Sequence, residues 1–252
     1  SGSSVPFIGA RGPSEFWGEA GEFNGSNQRM LSTTNLGFDS TTQYTVVFSI
    51  YMDAYVSRCV FDFKGGASPS TFYGGIQWED SGGDSAFKVY NADGSLIING
   101  GPDSNNPIGA SGWHNVLISC DLSSTSKRWY YVNDSVPSSL KWRSYNTSGS
   151  SNLGLMNYCS IGSRAFGGNY FDGRIGFLYV HQTYFDFSVE ANRRKFFDAL
   201  GYPVDLGSDG SNPSGDQPHV YLNAGFHNGT NLGAGGNFTP SNTPTDGGYV
   251  KG

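Results

Sequence analysis

The sequence predicts an all-β protein: a two-sheet antiparallel jelly-roll sandwich with one C-terminal helix and an extended tail. Three observations lead there. Glycine contributes 37 of 252 residues and aromatic residues 15%, while charged residues make up only 14%. Many turns and many rings with little Glu and Lys disfavour a helical protein. Short runs of alternating residues recur at regular spacing, separated by Gly, Asn, Asp and Ser, as in a sandwich. One run, Arg174 to Val180, follows an Asp172-Gly173 turn and is apolar on both alternating sets. Ile175, Phe177 and Tyr179 make one set, Gly176, Leu178 and Val180 the other. Such a strand is covered on both sides and sits near the centre of the structure.

The elements follow in order. Residues 1–21 are irregular, with repeated Gly and Pro. Asn24-Gly25 is a turn between strand-like flanks. Residues 43–52 (QYTVVFSIYM) form the clearest early strand, with Val46, Phe48, Ile50 and Met52 on one face. Strands are expected over 57–64, 71–78, 86–90 and 95–99, the last two joined by a hairpin at Asn91-Ala92-Asp93-Gly94. Residues 113–121 and 128–133 make a further strand pair. Residues 134–152 read as a Ser-rich loop, and 155–162 leads to the central strand. A helix is expected over 189–200, capped by Ser188 and stopped by Gly201 and Pro203. The chain thus divides into an N-terminal segment (1–21), a sandwich (22–187) and a helix with a C-terminal arm (188–252).

Composition also excludes function classes. The formal net charge is -6 and the densest basic cluster is Arg193-Arg194-Lys195, so no nucleic-acid partner is expected. No apolar run is long enough for a transmembrane helix, so no membrane insertion is expected. Cys59, Cys120 and Cys159 lie in apolar surroundings without metal-ligand spacing and read as buried thiols. Trp17, Trp113 and Trp129 read as core or interface rings.

Residues 22–187 resemble the laminin G-like jelly roll of the concanavalin A-like lectin/glucanase superfamily. The resemblance is carried by FNGSNQRML (23–31), YTVVFSIYM (44–52), WHNVLISCD (113–121) with WYYVND (129–134), and SIGSR (160–164) with YFDGRIGFLYV (170–180). Residues 193–222 and 229–239 resemble an extension that follows such domains in proteins of tailed phages and phage-like particles. Together they imply a non-catalytic carbohydrate-binding protein on a virion surface, extracellular when functioning. It would recognise host-surface, capsular polysaccharide and bind other virion proteins as a homo-oligomer. Two other classes are carried beside it: a decoration protein that binds only virion proteins, and a polysaccharide hydrolase or lyase.

A glycosidase needs two carboxylates flanking the scissile bond. The five Glu (Glu15, Glu19, Glu22, Glu79 and Glu190) form no Glu-x-Asp-x-Glu strand motif, and no catalytic residue is assigned. The histidines, His114, His181, His219 and His227, have no ligand spacing either. For sugar recognition the candidates are the aromatics near strand ends and polar loops: Tyr73, Trp78, Trp142 and Tyr145. A ring meets the C–H face of a sugar while nearby oxygens meet its hydroxyls. The superfamily resemblance allows a calcium ion, with Asp62, Asp80, Asp84, Asp103, Asn105 and Asp134 as candidate oxygen ligands. The C-terminal arm is expected to lie on this domain's flank or, as favoured by oligomeric appendages, on a neighbouring subunit.

Overall fold

The strand Asp172–His181 pairs with Gly21–Asn24 on one side and with Gln43–Met52 on the other, which places it inside its sheet, as its two apolar faces require. This computed structural model describes residues 20–39, 41–53, 58–65, 74–81, 84–103, 108, 112–147, 156–223 and 226–246. In chain order the strands are β1 (Gly21–Asn24), β2 (Arg29–Ser32), β3 (Gln43–Met52), β4 (Arg58–Gly65), β5 (Gly75–Ser81), β6 (Asp84–Tyr90), β7 (Leu96–Pro102), β8 (Trp113–Asp121), β9 (Arg128–Val132), β10 (Leu140–Tyr145), β11 (Met156–Ile161), β12 (Asp172–His181), β13 (Val220–Leu222), β14 (Thr239–Ser241) and β15 (Thr245–Asp246). They form two antiparallel sheets. A seven-stranded sheet runs β15-β1-β12-β3-β8-β9, with β13 also on β12; an eight-stranded sheet runs β10-β7-β6-β5-β4-β11-β2-β14. The two-sheet sandwich expected from the sequence is the observed fold. Among the described residues no helix is long and apolar enough to cross a membrane.

The main core lies between the sheets. Val46, Phe48, Ile50 and Met52 of β3 meet Phe61, Phe63, Ile76, Trp78, Phe87 and Val89 of the facing sheet. All are 0% exposed. The three cysteines are free thiols and buried.

The turn at Asn24-Gly25 carries the chain between the sheets: β1 joins β12 in one and β2 joins β11 in the other. Three local expectations are corrected. In β12 the register shifts between Ile175 and Phe177. The bulge turns Ile175 toward the main core with Leu178 and Val180, while Phe177 and Tyr179 face outward into a second core. Within the Ser-rich stretch 134–152, β10 pairs with β7.

The helix is one turn, α1 (Glu190–Arg193), with Val189 rather than Ser188 at its N-cap and no side-chain cap. Phe196 and Phe197 are both buried in the second core. The helix has ended before them: the chain turns over 194–196, and Phe197 bridges to Pro203. The Asp198 carboxylate then accepts from the amides of Leu200 and Tyr202 at 2.8 and 2.9 Å.

The described part of the C-terminal arm has its acceptor in its own domain. It adds β13 and β15 to one sheet and β14 to the other. Val220, Leu222, Phe226 and Phe238 enter the main core. The segment from Phe185 to Tyr221 covers the outer face of the seven-stranded sheet. Phe185, Phe187, Phe196, Phe197, Leu206 and Tyr221 pack there on Val47, Leu117, Phe177 and Tyr179. The outer face of the eight-stranded sheet carries polar residues instead.

Candidate functional site

Register and alternation fix which side chains stand on that outer face. Antiparallel partners share a face, and Phe61, Phe63, Ile76, Trp78, Phe87 and Val89 point inward. Asp62, Gln77 and Lys88 are successive cross-strand partners, continued by Ser160 on one side and Asn99 on the other. A second row runs Tyr158, Lys64, Gly75 and Tyr90. Glu79 is on the same face, two residues beyond Gln77. The turn after β11 lays Ser163 to Phe166 over this floor. Its Ala165 amide donates to Asp62 Oδ2 at 2.9 Å, and the Phe166 ring packs on Tyr158 with centroids 5.6 Å apart.

The floor is an ionic lattice. Lys64 Nζ lies 3.0 Å from Asp62 Oδ2, and the Asp62 side chain is 0% exposed. Burial outweighs Lys64 and the Ala165 amide, so the Asp62 carboxyl is pushed above its ordinary range. Its Oδ1 is buried without a hydrogen-bond partner. Glu79 binds Lys88 Nζ through Oε1 at 2.6 Å, and Arg164 through Oε2, from Nε at 3.0 Å and Nη2 at 2.8 Å. Burial alone would raise Glu79. The hydrogen bonds and charges of Lys88 and Arg164 overcome it and hold the carboxyl below its usual range. Tyr90 is half-buried; burial, then the charges of Glu79 and Asp62, push its phenol up to about 12. The face thus offers half-buried rings at Tyr90, Tyr158 and Phe166 beside fixed donors and acceptors.

The sequence-predicted residues fall elsewhere. Trp78 is 0% exposed. It donates its indole N–H to the Tyr130 hydroxyl at 2.9 Å and packs edge-on against Phe48, so it presents no face to a ligand. Trp142 and Tyr145 are half-buried, packed on the main core and on each other at 5.7 Å. Arg128 lies over both rings at 5.6 and 5.2 Å, and they close the β10 edge of the sandwich. Tyr73 and Asn105 lie outside the described residues.

Of the acids proposed for calcium, Asp62, Asp103 and Asp134 each pair with different cations. Asp62, in β4, lies under the turn after β11, where the Ala165 amide donates to it. Asp103, beyond β7, pairs with Lys141 and with Arg143 at 3.1 Å. Asp134, beyond β9 in the other sheet, pairs with Arg193 at 2.5 Å and Arg194 at 2.7 Å. Asp80 and Asp84 are placed on facing strands at the β5–β6 turn, where Asp80 pairs with Ser85 and Asp84 with Ser81. Among the described residues no group of three His, Cys, Asp or Glu could hold a metal.

The sequence reading missed Tyr90, Tyr158, Lys88 and Arg164. The signal for two of them was present: in AFKVY (86–90), Phe87 and Val89 point inward, which turns Lys88 and Tyr90 outward. Arg164 gave none, because its position depends on the turn after β11.

No family model matches the chain, and no curated protein does either. Solved structures do. A candidate carbohydrate-binding protein from Bacteroides ovatus is similar over 89% of this chain and 58% of its own, with 18% identity and a TM-score of 0.56. NanB, a sialidase of Streptococcus pneumoniae, is similar over 71% of this chain and 27% of its own, with 14% identity and a TM-score of 0.50. These likenesses establish the fold. Tailspike protein 2 of bacteriophage CBA120, at 16% identity over 73% of this chain and 28% of its own with a TM-score of 0.43, is too distant to carry an argument.

Proposed function

We propose that this chain is a non-catalytic carbohydrate-recognition protein and that it binds sugar on the outer face of the eight-stranded sheet. One observation carries the reading. The other sheet's outer face is sealed by a second apolar core, whereas this face sets the half-buried Tyr90 and Tyr158 among charged groups already held in place by one another. A ring takes the apolar side of a sugar, and preorganised donors and acceptors take its hydroxyls at little ordering cost. The similarity to the Bacteroides ovatus protein supports the same reading. The finer setting follows the resemblance of the C-terminal stretch: a phage or phage-like particle surface, with host capsular polysaccharide as ligand and other virion proteins as partners. The test is a glycan array probed with the full chain. Saturable binding to polysaccharides or their fragments supports the reading; a blank array contradicts it.

A second reading, polysaccharide cleavage, draws on the two carboxylates this face brings together, Asp62 and Glu79. Their environments push them in opposite directions, as an acid and a base require. Against it, Glu79 is tied to two cations and the Asp62 side chain is fully buried. A reducing-end assay on any bound polysaccharide separates the two readings: new ends made by wild type and lost in Glu79→Gln would favour cleavage.

A further inference from the structure

Arg164, on the proposed face, has a side chain 43% exposed, yet its guanidinium is not free to turn. Nε and Nη2 both bind one oxygen of Glu79, whose side chain is 4% exposed. The remaining edge of the planar fork, with Nη1, is therefore held facing away from Glu79. Lys88 takes the other oxygen of the same carboxylate. The Lys88–Glu79–Arg164 triad holds two positive charges against one negative, and the surplus lies at its exposed end. The adjacent Asp62 is matched by Lys64, so it does not cancel that surplus.

We infer that the exposed edge of Arg164 is the recognition site for a carboxylate-bearing sugar residue, of the hexuronate class, in the bound polysaccharide. The inference rests on the recognition reading above and names the substrate class of that same face. A guanidinium fork matches a carboxylate in plane and in spacing, which an ammonium does not. Because Glu79 already fixes the fork, the ligand does not have to order it.

The experiment is a binding titration on the full chain with matched pairs. Polygalacturonate, alginate and a glucuronate polymer are each compared with their carboxyl-reduced forms, alongside a panel of neutral polysaccharides. The expected result is that the acidic member of a bound pair is preferred by about tenfold or more. Affinity should fall with salt, and Arg164→Gln should abolish the preference while Arg164→Lys retains only part of it. Equal binding of both members, or a preference that survives in Arg164→Gln, overturns the inference and leaves the recognition reading intact. Binding confined to the neutral panel does the same. No binding to any acidic or neutral polymer overturns both. Melting curves accompany each variant; if Arg164→Gln does not fold, Arg164→Lys and the carboxyl-reduced ligands still decide.

Discussion

Trp78 of β5 donates its indole N–H to the Tyr130 hydroxyl of β9 at 2.9 Å, bridging the two sheets through the middle of the core. Both rings are 0% exposed. The relationship makes Trp78 a structural residue and predicts a clean separation of effects. Trp78→Phe should lower stability by roughly 1–3 kcal/mol, through the lost hydrogen bond and the cavity left by the smaller ring. Glycan affinity of the folded fraction should stay unchanged. Denaturant melts and a binding titration on the same preparation check both halves.

The C-terminal stretch predicts a second outcome. Ending the chain at Gly201 removes Val220, Leu222, Phe226 and Phe238, each 2% exposed or less. Burying one such side chain is worth roughly 1.5–3 kcal/mol. Four together are comparable with the whole net stability of a typical domain, about 5–15 kcal/mol. The truncated chain should fail to fold, which circular dichroism and proteolysis would reveal. A cooperative melt in that truncation would show that the tail is dispensable.

Acid should destabilise the protein through His181. Its ring is 7% exposed, and both ring nitrogens are buried without hydrogen-bond partners. Burial, then the neighbouring His219 with its ring centroid 6.0 Å away, lowers its pKa to about 4 from an ordinary 6.5. The unfolded chain therefore takes up this proton first as the pH falls. Stability is lost between about pH 6.5 and 4 and not further below. His219 is lowered as well and adds in the same direction. The carboxylates of Glu79, Asp121 and Asp134, held below their ordinary range, withdraw their contribution at lower pH still. A His181→Phe variant should show a flatter dependence of melting temperature on pH in the upper window. An unchanged slope would show that the loss arises elsewhere.

Much of the fold was legible because burial writes itself into alternation. The strands β3 and β8 coincide with runs read directly from the sequence, and the β6–β7 hairpin turns at Gly94, whose φ of +81° suits glycine. What was missed depends on contacts distant in sequence. The bulge at Gly176 moves Ile175 to the other face, and only pairing with β3 reveals it. The helix reading failed beyond Arg193, where a turn over 194–196 carries Phe196 and Phe197 into a second core. The site was less legible than the fold. Trp78 and Trp142 were singled out as large rings near polar segments, yet local sequence does not say that one bridges the sheets and the other closes an edge. Arg164 and Glu79 are 85 residues apart and meet only through the stacking of β4, β5 and β11.

The most direct test of the central claim compares two aromatic variants against one polysaccharide bound by wild type. Tyr90→Ala removes a half-buried ring from the outer face. Trp142→Ala removes one that packs on the core against Tyr145. The account predicts that Tyr90→Ala weakens binding by about tenfold, the loss of one stacking contact, with little change in melting temperature. Trp142→Ala should melt earlier while its folded fraction keeps wild-type affinity. The opposite pattern, with affinity lost in Trp142→Ala and retained in Tyr90→Ala, would contradict the assignment of the site to the outer face of the eight-stranded sheet.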